Sequence, residues 1–97
     1  MSQHSTFIEQ TDKMQGHLDS FIAHGSDQEL FIASYLHGHF DVAVATVEKL
    51  IEQGSSEPLA TLKKNLDEQL QSAFTNNELS DGDAQQVNEL FNTLFQL

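Results

Sequence analysis

Across 97 residues the chain has no cysteine, no tryptophan and no arginine, and it has a single proline. Without cysteine there is no disulfide framework, thiolate metal site or cysteine nucleophile, which excludes disulfide-stapled secreted scaffolds and thiol redox chemistry. Four lysines stand against fifteen Asp and Glu, for a net charge of -11. That balance repels phosphate backbones and anionic lipid surfaces, so direct nucleic-acid or membrane-surface binding is not expected. The carboxylates are spread along the chain and read as a solvated surface, not as a nucleic-acid mimic. No unbroken apolar run approaches the roughly eighteen residues of a membrane span, and Met1 to Gln10 lacks a basic start followed by an apolar stretch. The expectation is a cytoplasmic protein, neither exported nor inserted in a membrane.

What is present is helical periodicity, and 97 residues suit one domain with one core. Phe7, Ile8, Thr11, Met14, Leu18, Phe21 and Ile22 recur at three-four spacing and predict a helix over about 6–24. Thr6 with Glu9 has capping-box spacing at its start, and Gly25 stands where a left-handed C-cap would be wanted. Ser26 with Glu29 repeats the box before a second helix over about 27–53. Its apolar residues, Leu30, Phe31, Ala33, Leu36, Phe40, Val42, Val44, Val47, Leu50 and Ile51, fall on more than one face, as a central helix requires. Val42 to Val47 is β-branched in part but lacks the alternation of a strand.

Gly54 and the Ser55-Ser56-Glu57-Pro58 stretch end that helix and begin a third, over about 57–75, because proline is tolerated in a first helical turn. Leu59, Leu62, Leu66, Leu70, Ala73 and Phe74 form its apolar stripe, with Lys63–Asp67 and Lys64–Glu68 at i,i+4 on the outer side. After a polar connector, Ser80 with Asp83 caps a fourth helix over about 81–95, whose inward positions are Ala84, Val87, Leu90, Phe91, Leu94 and Phe95. The fold class predicted is all-α: a compact four-helix bundle or an orthogonal four-helix packing, with residues 1–97 as one domain.

Helix two carries the chain's unusual stretch, Tyr35-Leu36-His37-Gly38-His39-Phe40-Asp41, with titratable groups on both sides of a mid-helix glycine. Glycine there costs about 1 kcal/mol relative to alanine. Either a neighbouring helix approaches closely at Gly38 or the gap forms part of a pocket. Tyr35, His37, Gly38, His39 and Asp41 are therefore the candidate interaction or ligand site. His37 and Asp41 share a face, whereas His39 points about 200° round the helix from His37, so the three do not suit one metal ion. The chain holds no His-x-x-x-His and no Glu-x-x-His, and Asn77 to Asp83 fails as a calcium loop because Leu79 and Asn88 fall on ligand positions. There is no phosphate loop and no nucleophile elbow, so no catalytic residue, cofactor or metal is expected.

Glu29-Leu30-Phe31, Tyr35-Leu36 and Gly38-His39, with Glu78-Leu79-Ser80 at the last helix start and Leu94-Phe95 near the end, resemble the bacterial YfcL-like family over nearly the whole chain. The resemblance implies a small acidic helical protein of the cytoplasm and carries no assigned activity and no catalytic residue. The function expected is a non-catalytic interaction module whose partner is a protein, a second copy of the chain included. Phe7, Phe21, Phe91 and Phe95 would form its contact patch wherever they remain exposed. The alternative is a small-ligand or metal-binding protein using Tyr35, His37, His39 and Asp41. A third reading, capture of nucleic-acid-binding proteins by the acidic face, requires affinity for basic partners that falls steeply with salt.

Overall fold

A computed structural model describes residues 3–54 and 56–97; Met1 and Ser2 of the segment read for a leader, and Ser55 of the helix breaker, lie outside them. The chain is all-α and folds as four helices: α1 (Gln3–His24), α2 (Asp27–Glu52), α3 (Pro58–Thr75) and α4 (Asp81–Leu94).

Local chemistry sets most of the boundaries. Ser26 and Glu29 close a full capping box on α2: the Ser26 hydroxyl accepts from the Glu29 N–H, and the Glu29 carboxylate accepts from the Ser26 N–H. Ser80 caps α4 by accepting from the Asp83 N–H, with Asp81 and Asp83 in the positive first turn. Pro58 opens α3 at a position whose N–H would have no helical partner. Gly54, at φ 98°, takes the left-handed position that ends α2.

Two boundary expectations are corrected. Helix α1 begins at Gln3, so Thr6 is an interior helical residue and not the N-cap; nothing between Gln3 and Thr6 breaks a helix. Gly25 does not take a positive φ. Its glycine is required by crowding: a Cβ there would sit 2.5 Å from the Phe21 carbonyl oxygen and 2.9 Å from Glu29 Cβ.

The polar connector after α3 carries a helix cap. Asn77 adopts φ 58°, with its N–H bonded to the Phe74 carbonyl and the Glu78 N–H bonded to the Ala73 carbonyl. This is a Schellman cap with asparagine in the left-handed position, and it fixes where Glu78 emerges.

Helix α2 is the hub. It packs against α1, α3 and α4, α1 also meets α3, and the contacts of α4 with α1 and α3 are slight. Sequential neighbours therefore do not all pair, because α4 crosses back to α2 instead of pairing with α3. The molecule measures 39 × 30 × 18 Å, about two helix diameters thick in its short dimension. One core joins Phe7, Met14 and Leu18 of α1 with Leu36, Phe40 and Val47 of α2, Leu62, Leu66 and Leu70 of α3, and Val87, Phe91 and Leu94 of α4. Each such burial is worth about 1.5–3 kcal/mol before entropy is counted. Thr11, buried within the α1 stripe, directs its hydroxyl to the Phe7 carbonyl at 2.9 Å, which satisfies the polar group.

By length and composition α2 is also long and apolar enough to cross a membrane, with an 18-residue stretch of mean hydropathy 1.3. Apolar residues interleaved with small and polar ones raise that average without forming an unbroken run. Here the same hydrophobicity supplies the face turned toward three helices.

The apolar stripes predicted on α3 and α4 turn inward, while those of α1 and α2 are only partly covered. Ile8 and Ile22 of α1 and Leu30, Phe31 and Val42 of α2 are exposed, and Ile32 and Ala43 take buried places in α2. The i,i+4 spacings of Lys63–Asp67 and Lys64–Glu68 do not close; among the described residues, His37–Asp41 is the pair within ion-pair distance.

Candidate functional site

Residues four apart on a helix lie one above the other, so Phe31, Tyr35 and His39 form a row along α2, and Val42 continues it one turn on. The rings are in series, with centroids 6.5 Å apart between Phe31 and Tyr35 and 5.1 Å between Tyr35 and His39. Phe31 is 44% exposed and Val42 58%. Tyr35 and His39 are half-buried.

The polar ends of this row are held by residues from other parts of the chain. The Tyr35 hydroxyl donates to Glu78 Oε1 at 3.1 Å, just beyond the Asn77 cap. His39 Nδ1 lies 3.0 Å from Gln69 Oε1, and the Gln69 amide donates to Asn65 Oδ1 at 2.8 Å. Because the Gln69 oxygen can only accept, His39 Nδ1 donates this bond. The Tyr35 hydroxyl titrates above its ordinary 10.0, first because burial disfavours the phenolate and then because the Glu78 carboxylate accepts its proton and repels its anion.

His37 and Asp41 belong to a different network. His37 Nδ1 is 3.2 Å from Asp41 Oδ2, and its Nε2 meets the side-chain amide of Gln15 on α1, which also donates to Asp19. Asp41–His37 thus ties α2 to α1, while Tyr35 and His39 tie α2 to α3 and to the α3–α4 connector. The five candidate residues fall within seven positions of the sequence, but Tyr35 and His39 lie on one face and His37 and Asp41 on another, so the structure does not gather them into one pocket. Among the described residues no three His, Asp or Glu side chains converge as a metal ion would need.

The close-packing explanation for Gly38 is corrected. Gly38 is exposed, and a Cβ added there would meet nothing within 4 Å, so no neighbouring helix of this chain requires the glycine. The paired aromatics of α1 and α4, a contact patch only where exposed, lie in or against the core. Phe7 and Phe91 are 1% and 3% exposed, and Phe21 and Phe95 pack half-buried against the core. Among the described residues Phe31 is the phenylalanine that stands clear. Its signal in the sequence was its i-4 spacing from Tyr35, but hydrophobicity argued for burial.

Beside the row runs a shallow groove of about 510 Å³ between α2 and α3, lined among others by His39, Val42, Thr46, Ala73, Glu68 and Glu78. Both charged side chains that line it, Glu68 and Glu78, are carboxylates.

The sequence model of the family described as YfcL protein matches residues 7–96. A relative from Escherichia coli (strain K12), bearing the name Uncharacterized protein YfcL, is 32% identical over 79 residues, covering 81% of this chain and 82% of the relative. No solved structure matches the chain. The matched span takes in all of α2 and α3, the Tyr35–His39 row and its anchors Gln69 and Glu78, and the chain belongs to the YfcL family.

Proposed function

We propose that this chain is a non-catalytic interaction module of the cytoplasm that binds another protein through the outward face of α2. The observation that carries the reading is the Phe31–Tyr35–His39–Val42 row. Its apolar members are exposed at both ends, and its polar members are held in place by side chains from α3 and the α3–α4 connector. An exposed aromatic beside a tyrosine with a fixed hydroxyl suits a protein contact, where large side chains with little freedom to lose contribute most. A ligand or metal reading needs Tyr35, His37, His39 and Asp41 to act together, and their division between two networks argues against it.

The test is capture from a lysate of the source organism with the tagged chain, alongside a Tyr35→Ala/His39→Ala variant whose fold is checked by circular dichroism. The reading predicts one protein recovered near stoichiometry by the native chain and lost by the variant. Equal recovery by both, or recovery of the bait alone, contradicts it.

A further inference from the structure

The proposed contact face adjoins a groove whose charge and length describe what it would accept. The apolar surface starts at Phe31, passes the Tyr35 and His39 rings, and enters the α2–α3 groove at Val42. From Phe31 to Thr46 it follows α2 for about 22 Å, the length of a helical segment of about fifteen residues. Its margins carry Glu68 and Glu78 and no lysine, in a chain with fifteen carboxylates and four lysines. Such a groove offers apolar contact at Val42, polar groups from Thr46, Asn65, Gln69 and Ser72 beside it, and two carboxylates that attract cations.

Resting on the interaction-module reading, we infer that the α2–α3 groove receives a cationic amphipathic helix of a partner protein, its apolar side on Val42 and Phe31 and its basic residues against Glu68 and Glu78. A second copy of this chain is a poor occupant, because two molecules of charge -11 would meet along acidic margins. An amphipathic helix laid in a groove is read through anchors at i, i+4 and i+7, which the spacing of exposed contacts along α2 can meet.

The probe is a synthetic helical peptide of about fifteen residues with leucine on one face and lysine on the other, compared with a scrambled peptide of the same composition. The inference predicts that the amphipathic peptide binds at least about tenfold tighter than the scrambled one. Amide shifts should be centred on Phe31, Val42 and Gln69. Val42→Ser should weaken binding at least about tenfold, at a position exposed enough to spare the fold. Glu68→Gln should weaken it more than Glu9→Gln, which removes the same charge from outside the groove. Equal binding of both peptides, or indifference to Val42→Ser, overturns the inference and leaves only general attraction between opposite charges. Sedimentation showing a dimer that Val42→Ser abolishes overturns it in favour of self-association. If the peptide fails while lysate capture still depends on Tyr35 and His39, the partner chemistry is wrong and the interaction module stands; if both fail, the module reading falls as well.

Discussion

At the scale of single residues, Tyr35 offers the cleanest probe because it is the chain's one tyrosine. Its hydroxyl is held neutral by burial and by Glu78, which raises its titration above 10.0. Below that pH both folded and unfolded chains carry a neutral phenol, so its contribution to stability is fully present. As pH climbs past 10 the unfolded chain ionises first, and the contribution is lost through the folded midpoint. Tyrosinate absorbance should therefore titrate above 10 in the folded protein and move toward 10 in Glu78→Ala; a midpoint indifferent to Glu78 would contradict the hydrogen bond. Gly38 supports a second test. With open space around its missing side chain, Gly38→Ala should stabilise the fold by up to about 1 kcal/mol in urea unfolding, and so should Gly16→Ala, which is equally unobstructed. Gly54→Ala should destabilise, since alanine is strained at φ 98°. A loss of stability in Gly38→Ala would mean that the fold itself needs the glycine.

Among the helices, what the sequence disclosed was local and what it hid was tertiary. The starts of α2, α3 and α4 follow from Ser26 with Glu29, Pro58, and Ser80 with Asp83, each of which acts within one turn of itself. The Asn77 cap escaped notice because asparagine takes the left-handed conformation less often than glycine and the surrounding residues are polar. Asn77→Ala should cost about 1 kcal/mol in thermal or urea unfolding while Asn77→Gly costs nothing, and equal effects would contradict the Schellman geometry. The Tyr35–Asp41 stretch was visible as a group because its residues are adjacent. Its division into two networks was not, since Gln15, Gln69 and Glu78 lie 22, 30 and 43 residues from the groups they hold. Phe31 and Val42 misled for the same reason. A helix apolar on several faces looks fully enclosed until the positions of its neighbours are known, and α1, α3 and α4 leave Leu30, Phe31 and Val42 uncovered.

Over the whole molecule, a buried core and an acidic exterior leave several apolar side chains exposed, and Phe31 and Val42 stand among them on one row of α2. Twelve or so large side chains from four helices account for cohesion through burial, and the charge of -11 makes copies of the chain repel one another. Phe31 and Val42 serve neither purpose, and the central claim is that they serve binding. The direct measurement is a Phe31→Ser/Val42→Ser variant assayed together for unfolding free energy and for partner capture. The account predicts stability within about 1 kcal/mol of the native chain, as for two exposed positions, with capture abolished. A variant that loses several kcal/mol, or that stays folded and captures as well as the native chain, would contradict it.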